Sequence, residues 1–464
     1  MFGQLEAGAA PTYKTKVPIA PIIFVVALFV PIQIYVGDLR LSAYRIALLL
    51  LIIPAALRYL NSKDIQWRIA DLMILLHCAW ASISLMVTGS SIATAGIFVV
   101  ETAGSWLIAR VYVRDVQQFK AVVRAMFWGV TLSLPFAIYE TLTRDPIVLT
   151  VLDKFVSALP NVPHEQRLGL DRVQFVFDHP ILYGLFCSLS FTISIYLLGK
   201  PEAGKLSWWR GVVVSVATFL SLSSGALVCI AVQLALITYD RIMKWYAQRW
   251  KVLIASAILL YIVLEAGSNR TVPEILLPYV ALNPGTAWTR IAVNNAAIDF
   301  VSENIVFGNG LKPWFPTVPL PTASIDNFWL VIAFRHGLIG FLTLAGATLF
   351  SALAIGRAAS IGPQHRAIAT AIIVTITGFA VATATVHLWN ATYCFFIFFL
   401  AFGLWIADIN TNNPATHGEE VGPGQQNPLA DKLGSRKTIM YSRFKPKHKR
   451  GDPTRSSGKP ESGK

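Results

Sequence analysis

Residues 210–251 read RGVVVSVATFLSLSSGALVCIAVQLALITYDRIMKWYAQRWK, and the number of times this stretch crosses a membrane decides the topology of everything after it. Its apolar block is broken only at Leu222-Ser223-Ser224-Gly225. Taken as one span, it puts Arg241, Lys244, Arg249 and Lys251 on the face opposite the other basic clusters. Taken as two, 210–222 and 225–240, it leaves them on the same face as Lys200, Lys205 and Arg210. Short loops rich in Lys and Arg stay in the cytoplasm, so two spans are expected.

Working outward from that break, further apolar runs long enough to cross the ~30 Å hydrocarbon layer as helices fall near 18–36, 43–60, 69–88, 92–112, 121–141, 180–198, 251–267, 338–356, 366–387 and 391–408. With both ends cytoplasmic, the resulting twelve spans place 29 of the 39 basic residues on one side. The fold class expected is an all-α polytopic integral membrane protein of about twelve transmembrane helices, in a bacterial inner membrane. A cytoplasmic N-tail covers 1–17, the transmembrane domain 18–408, and a disordered, basic cytoplasmic tail 409–464, poor in apolar periodicity. At 55% hydrophobic and 14% charged residues, the composition excludes an ordinary soluble domain. The formal charge of +14 reflects orientation and the basic tail, and nucleic acid is not an expected partner. Cys78, Cys187, Cys229 and Cys394 lie far apart inside spans and read as buried small hydrophobes, with no metal or disulfide framework.

This topology leaves two enlarged periplasmic loops, about 142–179 and 268–337. The first carries Pro160, Pro163, His164, Arg167, Arg172, Asp178 and His179; the second carries Arg270, Arg290, Asp299, Glu303, Lys312, Asp326, Arg335 and His336. In the second, Asn283-Pro284-Gly285-Thr286 reads as a turn and cap, and 287–304 as an amphipathic helix. Trp288, Ile291, Ile298, Val301 and Ile305 would lie on the lipid interface, with Arg290 and Asn294 on another face. A second helix starts at Asp326 or Asn327. Because 338–356 already supplies a full span, 327–336 reads as an interfacial arm broken at Gly337. That keeps Arg335 and His336 near the headgroups and brings them towards Asp326 and Arg290.

Leu220-Ser221-Leu222-Ser223-Ser224-Gly225-Ala226, Thr289-Arg290-Ile291-Ala292, Phe307-Gly308-Asn309-Gly310-Leu311, Asp326-Asn327-Phe328-Trp329-Leu330 and Gly337-Leu338-Ile339-Gly340 follow one another around the largest loop. In their order and placement, over roughly 165–345, the chain resembles the bacterial O-antigen ligase and polymerase superfamily of membrane glycosyltransferases. Two departures stand out. Family members often read Ser-Arg-Gly where this chain has Ser223-Ser224-Gly225, a loss that Arg167 or Arg172 could make good in space. Ligases carry a His where Asp326 stands before Asn327. The resemblance therefore implies the polymerase branch, acting in exopolysaccharide or O-antigen biosynthesis. Its substrate would be a polyprenyl-pyrophosphate-linked glycan, with no cofactor and no metal. A chain-length regulator is the protein partner such a polymerase admits, and a ligase acting on lipid A-core of lipopolysaccharide or on protein is the alternative.

The chemistry such a transfer needs is a cationic cradle for a pyrophosphate leaving group and a base for the acceptor hydroxyl. Guanidinium forks match phosphate oxygens, which nominates Arg290 for catalysis, with Arg167, Arg172, His179, Arg335 and Asn327 binding substrate. Asp326 is the first candidate base, with His336 and His179 behind it. Plainer readings stay open beside these. Arg290 could anchor to ordinary lipid phosphates, Asp326 could be only a helix cap, and Arg335 and His336 could be juxtamembrane anchors. Arg167 and Arg172 could pair with Asp171, Asp178 or other loop carboxylates. Trp314 and Phe315 read as interface aromatics, and Glu101, mid-span, as a helix–helix hydrogen bond. Outside enzymes, the rival is a lipid-linked oligosaccharide flippase or transporter, whose halves should repeat; the unequal loops here argue against it.

Overall fold

The computed structural model describes residues 17–37, 39–199, 205–280, 284–316, 319–320 and 322–412. The N-terminal 1–16 and the proposed disordered tail beyond 412 lie outside the described residues. Helices come first in chain order and almost alone: α1 (Ile19–Ala27), α2 (Ala43–Asn61), α3 (Ile69–Val87), α4 (Ile92–Val99) and α5 (Ser105–Tyr112), the last two joined through a π-helical turn at Val100–Gly104. Then follow α6 (Val116–Thr143), α7 (Ile147–Leu152), α8 (Pro180–Leu189), α9 (Phe191–Leu197), α10 (Trp208–Leu220), α11 (Ser224–Ile242), α12 (Arg249–Ala266) and α13 (Val272–Val280). The chain continues with α14 (Pro284–Glu303), α15 (Phe328–Ala358), α16 (Pro363–Thr383), α17 (Asn390–Phe402) and α18 (Trp405–Asn412).

Among the described residues, nine helical segments are long and apolar enough to cross a membrane. The protein is an all-α, multi-pass membrane protein. Three of the twelve expected spans differ from that description. The run at 18–36 contains only the nine-residue α1, about 14 Å of helix, because Pro31 and the β-prone Ile32–Val36 leave the helix. There a short antiparallel hairpin forms instead, β1 (Gln33–Val36) with β2 (Leu39–Ser42), in the register Gln33 opposite Ser42. It docks on the 142–179 loop through Gln33 N to Ser157 O and Leu159 N to Pro31 O. Helix α10 has only 13 residues. Helix α12 has 18 but carries Arg249, Lys251 and Glu265 and buries none of its side chains.

The centre of the bundle is α8, α9 and α17, whose residues are buried on every side apart from Asn390. In such a core polar side chains act as glue between helices. Gln233 of α11 accepts from Thr192 Oγ1 at 2.7 Å and donates to Ser188 O at 2.9 Å. The four cysteines are buried and unpaired, as their spacing suggested.

Two breaks in the helices shape one end of the bundle. The first is the Ser221–Ser223 interruption between α10 and α11, where Leu222 turns into the left-handed region at φ 45°. The second is Gly337, with φ 69° and ψ 179° inside α15, where the sequence placed the break of the interfacial arm. A helix break strands backbone groups that must find partners elsewhere. At Gly337 the Phe307–Gly310 turn supplies them: Asn309 N donates to Phe334 O (2.7 Å), Gly310 N to Arg335 O (2.9 Å), and Leu338 N to Ile305 O (2.7 Å). Trp80 Nε1 and Ser84 Oγ of α3 complete the set at His336 O and Arg335 O. A Cβ at Gly337 would sit 1.9 Å from Val306 O, and one at Gly308 2.4 Å from Phe334 O. Both glycines also hold positive φ. The Gly-rich turn and the Gly337 motif are thus two halves of one joint.

Candidate functional site

At the first break, the C-terminal end of α10 exposes the carbonyls of residues 220–222, and the 142–179 loop closes over them. Val173 N donates to Leu220 O at 3.1 Å, Arg172 Nε to Ser221 O at 3.4 Å, and Arg167 Nη1 to Leu222 O at 2.9 Å. Cations are favoured there by the negative end of the helix dipole. Arg167 and Arg172 therefore stand at the Ser221–Ser223 break. Neither pairs with Asp171 or Asp178: Asp171 takes Arg144 at 3.5 Å, and Asp178 takes Arg40 at 4.0 Å and Asn390 Nδ2 at 3.0 Å.

The 268–327 segment brings the third arginine. Helix α14 packs Val293 and Ala297 on Val331 and Phe334 of the α15 arm, which sets Arg290 opposite the start of that arm. Arg290 Nε donates to Asp326 Oδ2 at 3.0 Å, and its Nη atoms make no protein contact among the described residues. The apolar stripe expected on α14 divides: Trp288, Ile298 and Ile305 are exposed, whereas Ile291 is buried. Ile291 is lost from the outer face because α14 packs on protein as well as facing outward. Asn294, one turn after Arg290, is buried with Oδ1 unpartnered. The cap of α15 is Asn327, whose Oδ1 accepts from Leu330 N at 3.2 Å. Asp326 is thus not the cap, and Asn327 commits its oxygen to the backbone and not to a ligand.

Arg167 and Arg172 lie close enough to feel the charges of Arg290 and Asp326. Burial, then Arg167 and Arg290, push Arg172 down to about 10. Burial and the charge of Arg290 push Arg167 down as well. A guanidinium does not surrender its proton in a protein, so both arginines stay charged although partly buried, with Glu165 and Asp326 offsetting part of that cost. Arg172 Nη2 is buried with no partner. His179 caps α8 through Nδ1, accepting from Ile181 N at 3.1 Å, with its ring 4.4 Å from that of His164. Burial, then His164 and the two arginines, hold His179 down at about 3, so it is neutral near pH 7.

Arg335 and His336 do not join this cluster. No hydrogen bond or ion pair links either side chain to Asp326 or Arg290 among the described residues. Arg335 and His336 share with Phe328 and Ile332 the helical face that lines a cavity of about 280 Å³, bounded by the π-helical turn and the start of α17, whereas Val331 and Phe334 face α14. His336 is 3% exposed, packed against Phe98 and His77. The expectation that the arm brings Arg335 and His336 towards Asp326 and Arg290 is thereby corrected. Glu101 faces the same cavity and does make the expected helix–helix contact, through Arg45 Nε at 2.7 Å and Tyr44 OH at 3.1 Å. Trp314 packs on Phe334 beneath α14, while Phe315 is exposed.

Sequence reasoning passed over Glu140, which is buried at the end of α6 and accepts from Gln174 N at 2.7 Å and Phe175 N at 3.0 Å, pinning the loop that carries Arg172. Its signal was a carboxylate in an apolar run, the same one that flagged Glu101. It also passed over His387, at the end of a run read as span, and Trp389, just beyond it; both line the second cavity from the connection between α16 and α17. Among the described residues no group of three or more His, Cys, Asp and Glu is placed to hold a metal ion. No protein-family model matches this chain, and no curated protein matches it in sequence.

Proposed function

We propose that this chain is a membrane glycosyltransferase of the O-antigen ligase and polymerase type. It polymerises polyprenyl-pyrophosphate-linked repeat units into exopolysaccharide or O-antigen at the outer face of a bacterial inner membrane. The observation that carries this reading is the excess of cations. Arg167, Arg172 and Arg290 gather with the carboxylates of Asp326 and Glu165, three cations to two, and the Nη atoms of Arg290 and Nη2 of Arg172 have no hydrogen bond among the described residues. Guanidiniums in excess over carboxylates suit a pyrophosphate better than a neutral ligand.

A second feature supports a lipid-borne donor. An apolar groove of about 430 Å³, lined by Phe191, Trp208, Phe219 and Leu234, runs beside α10. Phe219 stands two residues before Ser221, whose carbonyl holds Arg172. A polyprenyl chain lying in that groove would deliver its pyrophosphate to the arginines.

The reaction then divides between the two kinds of group. The acceptor hydroxyl oxygen bonds to the anomeric carbon of the donor, and the carbon–oxygen bond to pyrophosphate breaks, the electron pair leaving with the phosphate. Arg290, Arg172 and Arg167 stabilise the charge that develops on the leaving group. The hydroxyl proton passes to Asp326. Arg290 contacts Asp326 through Nε alone, so its Nη edge can engage phosphate while Nε holds the carboxylate in place.

The test is polysaccharide analysis of a clean deletion strain, with lipid-linked material separated by size. Single repeat units accumulating on the carrier, with no long polymer, is the expected result. Long polymer retained on the carrier and never transferred would instead mean a ligase, and unchanged glycans would overturn the transferase reading.

A further inference from the structure

The cavity at Arg335 is built around polar groups that the cluster at Arg290 does not use. Its volume, about 280 Å³, is at the lower end of the ~300–1,000 Å³ typical of small-molecule sites. Arg45 is committed, with Nε on Glu101 at 2.7 Å and Nη1 on Arg40 O at 2.6 Å. Arg335 is not: its half-buried guanidinium has no hydrogen bond or ion pair in the described residues. Two imidazoles stand beside it with buried, unpartnered Nδ1 atoms, those of His336 and His387. Such vacancies at buried polar atoms are costly unless something fills them.

The charges count one way. Two guanidiniums against the one carboxylate of Glu101 leave a single positive charge, which matches a monoanion and not a pyrophosphate. His387 adds none, because burial and then Arg335 hold it down at about 3. The remaining vacancies are on neutral imidazole nitrogens, which donate or accept according to tautomer. Hydroxyl groups satisfy both kinds, whereas the phosphodiester of a lipid offers acceptors only. The wall adds the aromatic side chains of Trp389 and Phe98, the residue type on which the C–H face of a sugar ring packs.

We propose that this cavity is a saccharide subsite for one carboxylate-bearing sugar residue. Arg335 pairs with the carboxylate, and His336 and His387 meet the ring hydroxyls. That the sugar belongs to a growing glycan rests on the proposed transferase reading; the binding itself does not. The π-helical turn has a part in this, since it sets Glu101 against Arg45 and so leaves Arg335 as the uncompensated cation.

Binding to the purified full chain in detergent decides the matter. An oligogalacturonide is the probe, and the corresponding neutral galactose oligosaccharide and phosphatidylglycerol micelles are the competitors. The acidic oligosaccharide should bind about tenfold or more tightly than the neutral one, the scale of one hydrogen bond to a charged group. Arg335→Gln should abolish the preference, and Arg335→Lys should restore part of it. Equal binding of acidic and neutral probes to the wild-type chain would overturn the proposal, whatever the fate of the variants. So would full displacement by phosphatidylglycerol, which would make the cavity a headgroup site. Acid-selective binding in a chain whose deletion leaves polymer intact would uphold the subsite while removing the transferase reading.

Discussion

Two arginine clusters occupy opposite ends of the bundle, and they differ in how their charge is spent. At the end where α3 begins, Arg68, Arg110 and Arg114 all reach Asp408, at 3.0, 2.5 and 2.7 Å, and Arg110 also takes Asp71 at 3.2 Å. Trp106 Nε1 fills a further site on Asp71 at 2.9 Å. Arg110, Asp71 and Asp408 are buried to within a few per cent. At the other end, Arg167, Arg172 and Arg290 lie near Asp326 and Glu165, and of the three arginines only Arg290 forms an ion pair, with Asp326, among the described residues. The first cluster ties α3, α5 and α18 together with each of its three guanidiniums in an ion pair to a buried carboxylate. The second holds Arg167 and Arg172 on backbone carbonyls at a helix end, which fixes their position without neutralising them. Residue type alone does not separate structure from binding; ion pairing does.

The largest effect should come from breaking the matched cluster. Arg110→Met leaves Asp71 and Asp408 short of a buried partner, which costs about 3–5 kcal/mol. Unfolding of the purified protein should show that loss, with transferase activity per folded molecule unchanged. Next in size is the open cluster. Arg290→Ala should cut polymer formation by ~10²–10³, the scale for losing one group that stabilises developing charge, with little change in the unfolding transition. The comparison collapses if the two variants exchange phenotypes.

How much of this was legible in the sequence follows the same division. The break at 222–225 and the break at Gly337 were readable because Ser and Gly interrupt apolar runs whose period is otherwise helical. The partners that fill the breaks were not, because Asn309 meets Phe334 and Arg167 meets Leu222 across long separations in sequence. Arg290 and Asp326 were legible as chemistry, and their 3.0 Å contact follows from α14 lying on the arm. Arg335 was misplaced because only the packing of α14 on Val331 and Phe334 shows which face of the arm meets Arg290, and Arg335 lies on the face shared with Phe328 and Ile332. The hairpin at 33–42 was hidden inside a stretch apolar enough to pass for the end of a span.

A smaller effect sharpens the contrast through pH. His179 and His164 stand beside Arg167 and Arg172, whereas no imidazole pairs with Arg68, Arg110 or Arg114 among the described residues. The folded value of His179, about 3, lies below the ordinary value of about 6.5. Folding therefore disfavours its protonation. Its contribution to stability is complete above about 6.5 and is lost as pH falls from there toward about 3, at up to ~1.4 kcal/mol per pH unit for one proton. Protonation would also remove the lone pair that caps α8. His179→Asn keeps a capping oxygen and removes the titration. Hydrogen exchange in the 142–179 loop should rise in acid for the wild type and much less for the variant. Equal acid sensitivity in both would place the titrating group elsewhere.

The smallest effect separates two neighbours that the sequence could not tell apart. Asn327 caps α15 through Leu330 N, so Asn327→Ala should cost ~1 kcal/mol, the usual value of a cap, and should loosen the arm without removing charge from the cluster. Asp326→Asn changes the volume of its side chain hardly at all and takes away the only carboxylate paired with Arg290. It should cost stability modestly, since the pair is partly buried with Asp326 30% exposed and the amide keeps an oxygen for Arg290 Nε, and abolish polymer formation if the carboxylate is the base. Asn327→Asp, which keeps an oxygen at the cap, is the control. It should restore stability lost in Asn327→Ala, while the added negative charge beside Asp326 lowers the excess of cations and weakens activity modestly. Activity that followed unfolding across all three variants would reduce Asp326 to a structural partner of Arg290. Activity that followed charge, with stability following the cap, would place the two roles on adjacent residues.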